Sequence, residues 1–159
     1  MMTTPTGDIT LGDVAIELGI ALPITLGDSR VRTLAGKPSG DIILGDLRGK
    51  SAYSPPSVTA DSTSLSHFEF GQNGTSGYSS IMGSLTITGG EAPFTVAWSR
   101  TGGSPQISVG GTTSPSFAAS GTMPFDYQAT FRATVTDKRG AQAQSPDVYV
   151  QLSAGSNLS

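Results

Sequence analysis

Ten consecutive residues constrain this chain more than any other feature. From 127 to 136, Tyr127, Ala129, Phe131, Ala133 and Val135 alternate with Gln128, Thr130, Arg132, Thr134 and Thr136. Successive side chains of a strand point to opposite faces, so this alternation predicts a strand with one face in a core and one in water. Ile81, Gly83, Leu85 and Ile87 alternate likewise; Phe94, Val96 and Trp98 form a third set, and Val148, Val150 and Leu152 a fourth. Weaker strands are expected at 66–70, 106–109 and 115–118. Turn chemistry separates them, at Gly89-Gly90, Gly102-Gly103, Gly110-Gly111, Gly121 and Asp137-Lys138-Arg139-Gly140. About seven short strands in some 90 residues is the arithmetic of a β-sandwich.

The composition agrees with a mainly β chain. Ser and Thr supply 41 of 159 residues, and only 13% are charged, with a net charge of −3. Nine scattered cations are outnumbered by twelve acids, which argues against nucleic acid as a partner. No apolar run approaches the roughly 18 residues that a membrane span needs, so no membrane insertion is expected. No basic flank followed by an apolar stretch marks a signal peptide. The chain has no cysteine, which excludes disulfides, thiolate zinc sites and cysteine nucleophiles together.

Residues 1–53 read differently. A short phrase occurs three times: Ile9-Thr10-Leu11-Gly12-Asp13, Ile24-Thr25-Leu26-Gly27-Asp28 and Ile42-Ile43-Leu44-Gly45-Asp46. The unequal spacing argues against a solenoid. Each phrase is expected to open a short helix, with Thr10 and Thr25 as N-caps and the aspartates in the first turn. Gly19 and Gly36 stop the first two. Helices are therefore expected near 11–18, 27–35 and 43–48. Their apolar faces carry Leu11, Val14, Leu18, Leu26, Val31, Leu34, Leu44 and Leu47. A piece this small hardly buries such faces by itself, so these eight are the candidate docking residues. Residues 54–62, with Pro55-Pro56, read as a stiff linker, 63–153 as the sandwich and 154–159 as a tail.

Two resemblances rest on particular residues. Thr86-Ile87-Thr88-Gly89-Gly90-Glu91-Ala92-Pro93-Phe94 running into Trp98, and Phe131-Arg132-Ala133-Thr134-Val135-Thr136-Asp137 before Gly140, resemble an immunoglobulin-like or PKD-like sandwich. The resemblance implies that Trp98 packs into the core, with Phe94 and Phe131 as its companions. The cysteine pair of antibody domains is missing, and Ala133 stands where one would lie. Residues 5–51 are similar to an N-terminal module of tailed-bacteriophage structural proteins. Glu17-Leu18-Gly19, Leu26-Gly27-Asp28, Arg32-Thr33-Leu34-Ala35-Gly36, Pro38-Ser39-Gly40 and Gly49-Lys50-Ser51 carry that likeness in order and spacing.

Candidate chemistry is weighed against simpler readings. Gly49-Lys50-Ser51 invites a phosphate loop, but Leu44 occupies the place of the required first glycine and Pro55-Pro56 forbids the following helix. A lone His67 builds neither a zinc site nor a serine triad, and reads as a surface or strand-edge residue. The phrase aspartates lack the spacing of a calcium loop. Asn73-Gly74-Thr75 matches a glycosylation sequon but reads as a loop tip. With no nucleophile–base pair and no metal set, neither enzymatic activity nor a cofactor is expected.

The N-terminal resemblance implies a structural protein of a tailed-phage virion. A minor tail, tip or fibre-attachment component fits first; a neck, collar or head decoration protein, or a bacterial surface adhesion module, is the alternative. The expected partners are other virion proteins, further copies of the chain, and host-surface glycans.

Overall fold

The computed structural model describes Thr4 and residues 6–155, and it divides into two compact units, Met1–Ser54 and Pro55–Ser159. The boundary falls at the first of the paired prolines.

Unit 1 contains two short α-helices, α1 (Leu11–Leu18) and α2 (Ser29–Ala35), and a 3-10 turn at Leu44–Leu47. Thr10 caps α1: its hydroxyl accepts from the Asp13 N–H at 3.3 Å, and the Asp13 carboxylate accepts from the Thr10 N–H at 2.8 Å. This reciprocal pair satisfies donors that a helix start leaves free. The third phrase reuses half of the device, with the Asp46 carboxylate accepting from the Ile43 N–H at 2.9 Å. The second phrase departs from expectation. Thr25 is not a cap; its carbonyl accepts from the Asp28 N–H at 3.0 Å and closes a turn. That turn moves the helix start three residues along the phrase, so Asp28 itself is the N-cap and accepts from the Arg30 N–H at 2.9 Å. Gly19 and Gly36 end α1 and α2 in the left-handed conformation, φ +66° and +72°, as their positions predict.

The unit closes a core of its own. Val14, Val31 and Leu47 are fully buried at its centre, with Ile9, Ala15, Ile24 and Ala35 around them. Thr4 is buried as well and ties the start of the unit to its end. Its N–H donates to the Lys50 carbonyl at 2.9 Å, its carbonyl accepts from Gly49 at 3.0 Å, and its hydroxyl donates to the Leu47 carbonyl.

Unit 2 is a two-layer β-sandwich. Its strands are β1 (Ser57–Ala60), β2 (Ser64–Phe70), β3 (Ser76–Met82), β4 (Leu85–Thr88), β5 (Thr95–Gly103), β6 (Ser108–Gly110), β7 (Ser116–Thr122), β8 (Phe125–Thr136), β9 (Gln142–Gln144) and β10 (Val148–Gly155). One layer runs β2-β10-β8-β5, with β9 also on β8; β2 lies parallel to β10 and the other pairings are antiparallel. The other layer pairs β3 with β7 and β7 with β6, and β4 with β1. The strict alternation at 127–136 is realised in β8, whose Ala129, Phe131, Ala133 and Val135 are buried. The run from Ile81 to Ile87 keeps one inward face but changes partner at Gly83-Ser84, from β7 to β1. Treating β3 and β4 as one broken strand, and β9 and β10 as another, gives the Greek-key order of an immunoglobulin-like sandwich. The edge strand β2, parallel to the last strand β10, completes the layer.

Two boundaries differ from the sequence reading. Residues 57–60 of the expected linker are β1, because Val58 is buried in the sandwich core between the exposed Ser57 and Thr59. Four residues beside two prolines gave too short a pattern to separate from linker chemistry. At the other end, β10 continues through Ala154 and Gly155, both buried, so the expected tail loses its first two residues; 156–159 lie outside the described residues.

Candidate functional site

The eight candidate docking residues face inward. Val14, Val31 and Leu47 are sealed from solvent, and Leu11, Leu18, Leu26, Leu34 and Leu44 are half-buried against the same cluster. They hold unit 1 together and do not form a free docking face. Three apolar turns around Leu47 suffice to cover one another, which the size argument did not anticipate. Among the described residues of unit 1, the large apolar side chains presented to water are Ile16, Leu22 and Ile43, each more than 60% exposed. Leu18 and Leu34 keep one side open, lining a hollow of about 420 Å³ with Arg30, Ser51 and Ala52.

Glu17 is the residue that sequence reasoning passed over. It lies on α1, is 3% exposed, and holds the end of the unit: its Oε1 accepts from the Ser51 hydroxyl at 2.9 Å and from the Ala52 N–H at 2.8 Å. Its other oxygen is buried without a hydrogen-bond partner. Two signals pointed to it: the isolated acid in an otherwise apolar stretch, Val14-Ala15-Ile16-Glu17-Leu18, and its place in the Glu17-Leu18-Gly19 motif of the resemblance. Arg32 makes a second clamp, donating to the Lys37 and Gly40 carbonyls at 3.2 and 3.0 Å.

The Gly49-Lys50-Ser51 backbone is committed to this network. The Lys50 N–H donates to the Thr4 hydroxyl at 2.8 Å, so it is not free to cradle phosphate. The phrase aspartates are accounted for by helix starts. Hydrogen bonds from Arg30, its side chain first, hold the Asp28 carboxyl down at about 2. The Thr10 hydroxyl and N–H lower Asp13, and the Ile43 N–H followed by Lys37 lowers Asp46. Among the described residues, no cluster of three or more His, Asp or Glu side chains is arranged to hold a metal ion, and no helix is long and apolar enough to cross a membrane.

In unit 2, Trp98 is half-buried on β5 and bridges the two core clusters of the sandwich. Its ring meets Phe117 edge-on at 5.5 Å, and its Nε1–H donates to the Thr112 carbonyl at 2.9 Å. Phe131 is buried and reaches Trp98 through Phe117, whose ring it meets at 5.1 Å. Phe94 packs against the smaller cluster, with Val58, Leu85, Ala133 and Val135. His67 sits on the edge strand β2, where its Nδ1 lies 3.1 Å from the hydroxyl of buried Ser79 in the facing layer. Asn73-Gly74-Thr75 forms the turn after β2, with Gly74 at φ +78°. Glu91 binds the neighbouring turn, receiving Arg139 at 2.8 Å and Lys138 at 3.0 Å, and the two cations lower its pKa.

The outer face of the β2-β10-β8 layer carries a concave surface where aromatic and polar side chains converge. The register places Phe68, Ser153 and Asp126 in a row across three strands, with Gln151 and Gln128 in the next row. Small residues on the central strand, Ser153 and Gly155, leave a depression between taller neighbours. The Phe68 ring lies over Gly155, where a Cβ would come within 3.4 Å of it. The result is an open hollow of about 650 Å³, bordered by Phe68, Asn73, Asp126, Gln151 and Ser153. Phe70 stands beside it, its ring 4.8 Å from that of Phe68 and steeply inclined to it. Sequence reasoning left these residues out because β2 alternates weakly: the exposed Phe68 and Phe70 look like core until the partner strands are known.

No family model matches the chain, and no curated protein matches it. Among solved structures, it is similar to the PKD domain (329–428) of human KIAA0319, at 11% identity over 67% of this chain and 88% of that one, with a TM-score of 0.40. It is also similar to the M1 domain of titin, at 14% identity over 61% of this chain and 93% of that domain, TM-score 0.31. An endo-fucoidan hydrolase of glycoside hydrolase family 107 matches at 13% identity over 64% of this chain but only 14% of its own, TM-score 0.36. The immunoglobulin-like assignment of unit 2 rests on its strand order.

Proposed function

We propose that the chain is a non-enzymatic structural component of a tailed-bacteriophage virion, most simply of its tail. In this reading unit 1 docks to the particle, and the immunoglobulin-like unit 2 is the part offered to host surface or neighbouring proteins. The observation that carries it is the way the pieces of the N-terminal resemblance interlock. Glu17 of Glu-Leu-Gly holds Ser51 of Gly-Lys-Ser. Arg32 of Arg-Thr-Leu-Ala-Gly holds the carbonyl of Gly40, which ends Pro-Ser-Gly. Asp28 of Leu-Gly-Asp starts the helix that Gly36 ends. Several residues of the likeness thus join separate stretches of unit 1 by hydrogen bonds, which supports reading them as one module.

The docking surface is reassigned from the eight inward residues to the exposed Ile16, Leu22 and Ile43 and the hollow beside Leu18 and Leu34. Apolar side chains this exposed on a unit of some 50 residues are the natural ground for a protein partner. Purified particles of the virus encoding the chain, examined by quantitative mass spectrometry, test the proposal. The chain is expected at a fixed copy number per particle that survives gradient purification. Its loss during purification, or its presence only in infected cells, would refute the assignment.

A further inference from the structure

The hollow on the outer face of unit 2 is built for a particular chemistry. One wall is the Phe68 ring, 47% exposed, with Phe70 beside it at 63%. The opposite side carries polar groups beside the apolar Pro124 and Phe125. The Asp126 carboxylate accepts from the Gln151 amide at 2.9 Å and, at 3.5 Å, from the Gln128 amide. Each of these side chains keeps hydrogen-bonding capacity beyond those contacts: further lone pairs on Asp126, and a carbonyl oxygen and a second N–H on each amide. Asn73 and Ser153 add an amide and a hydroxyl at the rim. None of the described residues bordering the hollow is Lys, Arg or His.

We infer that this hollow is a binding site for a neutral carbohydrate ring. A pyranose has an apolar face of C–H groups, which lies against an aromatic ring, and hydroxyls that both donate and accept. The hollow offers the counterpart of each, an aromatic wall and a set of amide, hydroxyl and carboxylate groups. An anionic ligand is disfavoured: a phosphate, sulfate or sialate would meet Asp126 with no cation to offset it. A purely apolar partner is disfavoured too, since it would cover Asp126 and Gln151 without replacing their water. The open shape exposes much of any ligand, so affinity per ring is weak and gains strength by repetition of the chain on one particle. The inference rests on reading unit 2 as a binding domain and names what it binds. Failure of the particle test leaves it standing, and failure of the test below leaves the particle assignment standing.

The test is a ¹H–¹⁵N NMR titration of the full chain with methyl α-glucoside, methyl β-galactoside, methyl α-rhamnoside and N-acetylglucosamine. N-acetylneuraminic acid and inorganic phosphate serve as anionic probes. At least one neutral probe should give saturable shifts confined to the amides of Phe68, Asn73, Asp126, Gln151 and Ser153. Phe68→Ala and Asp126→Ala should each weaken that binding at least tenfold with an unchanged spectrum elsewhere. Should either variant disturb the sheet, Gln151→Ala, at an outward position, provides the same test. Shifts with the anionic probes only, or none at these residues with any neutral sugar, would overturn the inference. So would a Phe68-dependent dimer in sedimentation, which would make the face a contact between copies.

Discussion

At the scale of single residues, Glu17 and Trp98 show how one side chain secures a unit. The Glu17 carboxylate accepts hydrogen bonds from both the Ser51 hydroxyl and the Ala52 N–H. Glu17→Ala removes both bonds; because Ser51 and Ala52 are exposed and water can take the carboxylate's place, it should cost unit 1 about 1–2 kcal/mol. Glu17→Gln keeps an oxygen in place and should cost much less. Thermal melts of the two variants, followed at the helical far-UV signal, separate these outcomes. Trp98→Ala removes both the edge-on contact to Phe117 and the donor to Thr112, and should destabilise unit 2 by about 3 kcal/mol, the low end for a tryptophan because the ring is half-exposed. Trp98→Phe keeps a ring and loses the Nε1–H bond, so about 1 kcal/mol is expected. Denaturant titration of both variants measures this; equal losses would mean that the ring contributes nothing through its area.

At the scale of elements, the helix starts of unit 1 set its response to acid. Asp13, Asp28 and Asp46 all have folded-state pKa values below the ordinary carboxylate value: the Thr10 hydroxyl and then its N–H lower Asp13, the Arg30 side chain and then its N–H lower Asp28, and the Ile43 N–H followed by Lys37 lowers Asp46. A depressed folded-state pKa contributes stability that is complete above the unfolded value, about 4, and is lost as pH falls through the folded one. For Asp28 that loss extends down to about 2. The helical signal of unit 1 should therefore be constant from pH 7 to 5 and decline between about 4 and 2. Asp28→Asn, which retains a cap but no charge, should flatten the last part of that decline. In the sandwich, Gly103 sits at φ +84° after the irregularity in β5, and a Cβ there would fall 2.3 Å from the Gln128 carbonyl oxygen. Gly103→Ala should cost about 1–3 kcal/mol, whereas Gly110→Ala, with open space around it, should cost little. Paired melts of the two alanine variants check this.

Legibility in the sequence followed the length and regularity of each pattern. β8 was readable because ten residues alternate without interruption, and α1 because Thr10, Asp13 and Gly19 all name the same helix. The start of α2 was misjudged because an identical phrase can place its aspartate inside a first turn or at the cap, and the backbone turn at Thr25 decides. β1 was lost beside the prolines. The outer hollow was unreadable because it is assembled from three strands distant in sequence, and its row of Phe68, Ser153 and Asp126 exists only once the register is set.

At the scale of the whole molecule, the two units divide the work differently from the sequence expectation. Unit 1 was expected to need partners to cover its helices; instead Val14, Val31 and Leu47 are sealed within it. Leu47→Ala should then unfold unit 1 at a cost of about 2–5 kcal/mol. Ile16→Asp and Ile43→Asp should leave its melting unchanged and reduce incorporation into particles. Quantifying each variant in purified particles tests that separation of folding from docking. The reading of unit 1 as the attached end and unit 2 as the offered end is the central claim, and the chain carries its own reporters for it. Its three lysines are Lys37 and Lys50 in unit 1 and Lys138 in unit 2. Lys37 and Lys138 have side chains 46% and 60% exposed, so an amine-reactive cross-linker reaches both units. Cross-linking mass spectrometry on intact particles should join Lys37 and Lys50 to other particle proteins in preference to Lys138. Links to particle proteins from Lys138, with none from Lys37 or Lys50, would contradict the account.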